Sequence, residues 1–98
     1  MKSTITPEEL KKTLKSAYII DVREPDEYQQ DHIEGSHHLP LGKLIRDASK
    51  EIFPLDKQIV VHCKSGVRGG IALEFLKKKG YKNVQNLEGG FDSWKCSQ

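Results

Sequence analysis

The chain has 98 residues, of which 36% are hydrophobic and 31% charged, with a formal net charge of +2. This length suits one compact domain over residues 1–98, and the mixed charges exclude wholesale disorder. So small a net charge gives no ground for binding nucleic acid or a membrane. The two cysteines, Cys63 and Cys96, form neither a disulfide framework nor a Cys-x-x-Cys pair. Met1 to Ile5 holds one basic residue and no apolar run of signal-peptide length. No segment approaches the ~18 apolar residues of a membrane span. A soluble, cytoplasmic protein is expected.

Taken in chain order, Thr6-Pro7-Glu8-Glu9 starts a helix. Thr6 caps it, Pro7 suits the first helical position and Glu9 completes a capping box. Ile5 and Leu10 are placed to close a hydrophobic staple. Tyr18 to Val22 reads as a buried strand, Pro25 to Gln30 as a short helix and Ser36 to Leu39 as a short strand. Leu41 to Lys50 reads as a helix with Leu41, Leu44, Ile45 and Ala48 on one face. Asp56-Lys57 is a turn, and the β-branched run Gln58 to His62 is a central strand. From Val67 the pattern turns helical, with Val67, Ile71, Ala72, Phe75 and Leu76 at helical spacing and Gly80 as the cap. Lys77-Lys78-Lys79 is its solvated last turn, where cations favour the helix C-terminus. Asn83 to Leu87 is a last strand, and Phe91 to Trp94 a terminal helical turn. Short apolar runs alternating with helical patterns specify an α/β domain. Its central sheet is expected to be mostly parallel, of about five strands, with helices on both faces.

The chemistry concentrates where the central strand meets the following helix. Cys63 ends a buried strand, and in open parallel sheets ligands bind beyond the carboxyl ends of the strands. The loop after it has no proline, so every residue offers an N–H, and Gly66, Gly69 and Gly70 give it room to curl. Amides converging beside a helix N-terminus make an anion site and favour thiolate over thiol. Lys64 and Arg68 add positive charge, and Arg68 is suited to a bidentate contact with an oxyanion. A merely apolar core cysteine would leave the glycines, the two cations and the helix start unexplained.

Four stretches together resemble the rhodanese family over almost the whole chain. They are Ile20-Asp21-Val22-Arg23-Glu24-Pro25-Asp26-Glu27-Tyr28, His32-Ile33-Glu34-Gly35-Ser36-His37-His38-Leu39-Pro40-Leu41, Cys63-Lys64-Ser65-Gly66-Val67-Arg68 and Leu87-Glu88-Gly89-Gly90-Phe91-Asp92-Ser93-Trp94. The resemblance implies a rhodanese-like domain and a sulfurtransferase. In such an enzyme the Cys63 thiolate takes the outer sulfur of thiosulfate or a persulfide donor, becomes a persulfide, and yields the sulfur to cyanide or a thiol. The loop positions carried over as substrate-binding are Lys64, Ser65, Gly66, Val67, Arg68 and Gly69. The implied partners are a small anionic sulfur donor, a thiol or cyanide acceptor, and a persulfide-donating or thiol-accepting protein. A monomer is expected, with no metal and no organic cofactor.

The chain departs from the family pattern at four positions. Asp31 stands where glycine is common, and its tolerance of left-handed backbone is expected to preserve the turn. Glu34 replaces the usual proline and Ser36 the usual alanine. Gly69 follows Arg68 where many relatives have serine, which removes a capping hydroxyl and is expected to loosen the loop's exit.

Two other function classes stay open. A cysteine phosphatase or arsenate reductase uses a similar cradle, but with five residues between Cys and Arg. Here four lie between Cys63 and Arg68, which suits a single sulfur better than a tetrahedral phosphate. A non-catalytic binding or sulfur-relay module is the other alternative. Asp21 and Arg23 read as structural, with Asp21 accepting backbone hydrogen bonds and Arg23 at the pocket wall. His37 and His38, adjacent on a strand, point to opposite faces and so do not share a metal. Phe91 and Trp94 read as a core anchor, and Cys96 as either a resolving thiol or an incidental one on a mobile tail.

Overall fold

A computed structural model describes residues 2–47, 53–54 and 57–98. Ten elements follow in order: β1 (Thr4–Ile5), α1 (Pro7–Thr13), β2 (Tyr18–Asp21), α2 (Pro25–Gln30), β3 (His37–His38), α3 (Leu41–Asp47), β4 (Ile59–His62), α4 (Val67–Lys78), β5 (Val84–Leu87) and α5 (Gly90–Cys96). The five strands form one sheet in the order β1-β5-β4-β2-β3, with every pair parallel. β1 is the strand that sequence reasoning did not separate from the start of α1. Two residues carry too little pattern to announce a strand. No helix among the described residues is long and apolar enough to cross a membrane.

A parallel sheet must be covered on both faces, and strand alternation supplies two cores here. Ile20, Val22, Ile59, Val61, Cys63 and Val84 face Leu44 of α3 and Ala72, Leu73 and Leu76 of α4. Ile19, Val60 and Leu87 face Leu10 of α1 and Phe91 and Trp94 of α5. Cys63 therefore sits on the α4 side. His62, against the Phe91 ring at 6.2 Å, sits on the α5 side.

The helix ends follow their sequence signals. Thr6 Oγ1 accepts the Glu9 N–H at 3.1 Å and Glu9 Oε1 accepts the Thr6 N–H at 2.9 Å, closing the capping box. Ile5 and Leu10 are buried in one cluster. At the end of α4, Gly80 has φ +101°, Gly80 N donates to Lys77 O and Tyr81 N to Leu76 O, each at 3.1 Å. That pair of bonds is the Schellman closure that glycine permits.

Some expectations about faces and turns fail. In α4 the buried stripe is Gly69, Ala72, Leu73 and Leu76, while Val67 and Ile71 are exposed. At about 100° per residue Val67 and Ile71 lie opposite that stripe; their apolar character does not mark the core face. Ile45 likewise faces out of α3, where Leu44 is the buried residue. The expected helical residues beyond Asp47, Ala48 among them, lie outside the described residues, as does Asp56. Asp31 is extended, with φ −169°, so no left-handed residue is needed at that turn. Cys96 is the last residue of α5 and is exposed, so it belongs to a helix and not to a tail.

At the end of β2, Asp21 is fully buried, and Arg23 just beyond it is 4% exposed. The Arg23 N–H and Nε donate to Asp21 Oδ1 at 3.0 Å, and Nη2 donates to Oδ2 at 2.7 Å. Nη2 also donates to the Asp31 carbonyl at 2.7 Å, tying down the end of α2. Arg23→Met, which leaves the Asp21 carboxylate buried and unpaired, is expected to cost ~3–5 kcal/mol in urea unfolding.

Candidate active site

Cys63 follows β4 directly and is 1% exposed. Its Sγ accepts the backbone N–H of Gly66 at 3.0 Å. That bond requires the chain to double back within three residues. Gly66 makes the turn with φ +116°, a conformation L side chains rarely adopt, and then caps α4. The carbonyl of Gly66 is held twice, by Gly70 N and by Asn86 Nδ2, each at 3.0 Å. Both polar groups of the Gly66 residue are thereby fixed.

Asn86 reaches the loop from β5, and it was not singled out from sequence. A Cβ at Gly69 would lie 2.2 Å from Asn86 Oδ1, so glycine makes room for the asparagine. The expected loosening from Gly69 is therefore not what the structure shows: the space a side chain would use is filled by the residue that ties the loop down. The sequence signal was faint. It consisted of one amide side chain in a strand whose neighbours are only known once the sheet order is.

The underside of the loop rests on the start of α5. Phe91 N donates to Cys63 O at 2.7 Å and Asp92 N to Lys64 O at 3.0 Å. A Cβ at Gly90 would sit 2.5 Å from Cys63 O and 2.6 Å from Lys64 O. This close backbone approach explains Gly90, with φ +60°, while a Cβ at Gly89, with φ +74°, would meet Ser93 Oγ at 2.2 Å. The Cys63 and Lys64 carbonyls are thus turned toward α5. The Phe91 ring in turn packs 4.3 Å from the Arg23 guanidinium. Arg23 supports the site from below and is too buried to line an open pocket.

The two loop cations are both answered by carboxylates. Lys64 Nζ lies 3.1 Å from Asp92 Oδ2, with both groups well exposed, so solvent screens the pair. Arg68 is engaged more firmly. Its Nη1 and Nη2 donate to Glu27 Oε1 and Oε2 at 2.8 and 3.1 Å, with side-chain exposures of 31% and 25%. Glu27 Oε1 also accepts the Glu24 N–H at 2.9 Å as part of the α2 cap. Hydrogen bonding from Arg68 lowers the Glu27 carboxyl from 4.5 to about 2. The same pairing raises Arg68, and the Cys63 and Glu24 charges add to that effect. Glu27 lies within a motif quoted above, but its partnership with Arg68, 41 positions away, is a product of the fold. Ser65 and Val67 are exposed at the loop's outer edge, whereas Gly69 is buried.

The histidines are spread over separate contacts. His37 stacks on Tyr18, and His32 and His38 flank the Tyr28 ring at 3.9 and 4.4 Å. His38 Nε2 is 2.9 Å from the Arg23 carbonyl. His62 is fully buried, 3.6 Å from Asp21 Oδ2, and burial lowers its pKa. Among the described residues no group of three His, Cys, Asp or Glu converges as metal ligands do.

Two outcomes follow from this geometry. Gly69→Ala is expected to cost ~1–3 kcal/mol by overpacking against Asn86. Combined with Asn86→Ala the same change should become neutral or stabilising by up to ~1 kcal/mol, since alanine is the better helix former, a coupling that a double-mutant cycle in urea measures. The second concerns acid. Glu27 binds its proton less readily when folded than when unfolded, so the stability it contributes is complete above about pH 4.5 and is lost as pH falls toward 2. Glu27→Gln should flatten that limb of the unfolding midpoint against pH.

Comparison with known proteins agrees with this architecture. The family described as the rhodanese-like domain matches residues 6–96. The uncharacterized protein YqhL of Bacillus subtilis is 40% identical over 91 residues, covering 93% of this chain and 71% of YqhL. The thiosulfate sulfurtransferase GlpE of Coxiella burnetii is 35% identical over 78 residues, covering 80% of this chain and 71% of GlpE. The structure of the human single-domain sulfurtransferase TSTD1 superposes with a TM-score of 0.89 at 25% identity, covering 100% of this chain and 99% of that one. With a glycine-turned cysteine loop on a five-stranded parallel sheet and a family match over nearly its whole length, the chain belongs to the rhodanese-like domain family.

Proposed function

We propose that this protein is a sulfurtransferase in which Cys63 carries the transferred sulfur as a persulfide. The observation that carries the reading is the Gly66 N–H directed at Cys63 Sγ at 3.0 Å. It comes from a loop with only four residues between Cys63 and Arg68. A backbone donor fixed at a sulfur stabilises negative charge there without reorganisation. The names of GlpE and TSTD1 point to the same chemistry.

In the first half-reaction the Cys63 thiolate attacks the outer sulfur of the donor. With thiosulfate, a new S–S bond forms at Sγ, the donor's S–S bond breaks, and its electron pair leaves with sulfite. The added sulfur lies about 2 Å beyond Sγ, beside the loop whose Gly66 N–H points at Sγ. In the second half-reaction cyanide or a thiol takes that sulfur and restores the thiolate, a ping-pong sequence. Because Cys63 is nearly closed to solvent, it is the outer persulfide sulfur that meets the acceptor, whether a small thiol or a thiol-bearing protein.

Intact-protein mass spectrometry after incubation with thiosulfate tests the covalent step. Wild type is expected to gain about 32 Da, one sulfur, and Cys63→Ser to gain nothing. No adduct from thiosulfate or any persulfide donor, with Cys63-dependent release of phosphate from 4-nitrophenyl phosphate, would replace sulfur transfer by phosphatase chemistry.

A further inference from the structure

We propose that Glu27 is a specificity-determining residue that sets the Cys63 site against dianionic sulfur donors and toward donors carrying at most one negative charge. The inference rests on the sulfurtransferase reading and adds a substrate class to it. Thiosulfate brings two negative charges to a thiolate that is itself negative. Binding it calls for uncompensated positive charge at the loop. This chain supplies two loop cations, and both are already committed to carboxylates.

The commitment of Arg68 is the stronger one. Both ends of its fork are taken by Glu27 at 2.8 and 3.1 Å, in a half-buried setting where screening is weaker than at Lys64 and Asp92. Glu27 is not free to swing away, since the same carboxylate oxygen closes the α2 cap onto Glu24 N at 2.9 Å. Its carboxyl stays ionised at any working pH. Glu24 adds a second negative charge that Arg68 senses. A dianion entering the loop meets an Arg68 whose charge is cancelled, and must compete with a tethered carboxylate for its N–H groups. A donor with one charge fewer pays less of that repulsion, while the S–S chemistry at Cys63 is the same for both.

Methanethiosulfonate makes the comparison clean. It is a monoanion of nearly the same shape as thiosulfate. Attack by Cys63 on its outer sulfur forms the same persulfide, breaks the same S–S bond and releases methanesulfinate with the electron pair. Cyanide then takes the sulfur as thiocyanate in either case.

The experiment measures kcat/KM for thiosulfate and for methanethiosulfonate, with cyanide as acceptor, in wild type, Glu27→Gln and Glu27→Asp. Gln is compatible with the helix cap, because the third helical position accepts Glu or Gln. The ratio of thiosulfate to methanethiosulfonate turnover is expected to rise about tenfold in Glu27→Gln, through a lower KM for thiosulfate. Glu27→Asp, which keeps the charge, should stay near the wild-type ratio. A ratio within twofold of wild type in Glu27→Gln, or one that falls, overturns the assignment. Should neither donor leave sulfur on Cys63 in any of the three proteins, the sulfurtransferase reading is what fails. Calorimetric titration with sulfite, a dianion, then decides the role of Glu27 separately: tighter binding by Glu27→Gln supports it, and equal binding overturns it.

Discussion

A carboxylate removed from water needs a cation beside it, and Asp21 has Arg23. Much of the carboxyl end of the sheet is organised around that pair. Arg23 wraps back on Asp21 through its own N–H, Nε and Nη2, which fixes the chain as it leaves β2. Its remaining donor capacity holds the Asp31 carbonyl at the end of α2, the helix that carries Glu27. Its flat face packs on Phe91, whose N–H holds the carbonyl of Cys63. One buried ion pair thus reaches the Cys63 loop from two directions. Buried pairs of this kind are weak evidence for net stability against an apolar replacement. Their value here lies in the directions they impose on three neighbouring segments.

The loop itself sorts its polar groups by sign. Carbonyls of Cys63 and Lys64 are occupied by α5 amides, and the carbonyl of Gly66 by Asn86 and Gly70. With those negative ends of the peptide dipoles taken up elsewhere, the Gly66 N–H is directed at sulfur. The side-chain cations, by contrast, are neutralised by Glu27 and Asp92. The donor placed at Cys63 Sγ is accordingly a backbone group, whose dipole is fixed by the fold and does not depend on side-chain rotamers.

What could be read from the sequence was whatever depended on local order. The Thr6 capping box, the glycine closure after α4, the apolar strands β2 and β4 and the strand-to-helix turn at Cys63 each lie within a few residues of one another. The four motifs of the family resemblance placed the fold and the loop together. The contacts that needed the tertiary arrangement were out of reach. Glu27 meets Arg68 only because α2 folds over the carboxyl ends of the strands. Asn86 meets Gly69 only because β5 lies next to β4, and the tightness of Gly90 against Cys63 O depends on the same adjacency. The faces of α3 and α4 were misread for a related reason. Ile45, Val67 and Ile71 are apolar without being core, and hydropathy does not report which side of a helix a sheet will cover.

The α5 amides that hold the loop come from residues 91 and 92, nearly thirty positions after the cysteine they brace. A chain made from its N-terminus therefore completes β4 and Cys63 before the segment that braces them has been added. Until β5 and α5 dock, that cysteine lies at a strand edge without its bracing. The arrangement around Cys63 is thus coupled to the finished fold: a nascent or partly unfolded chain lacks the contacts from β5 and α5 that single out Cys63.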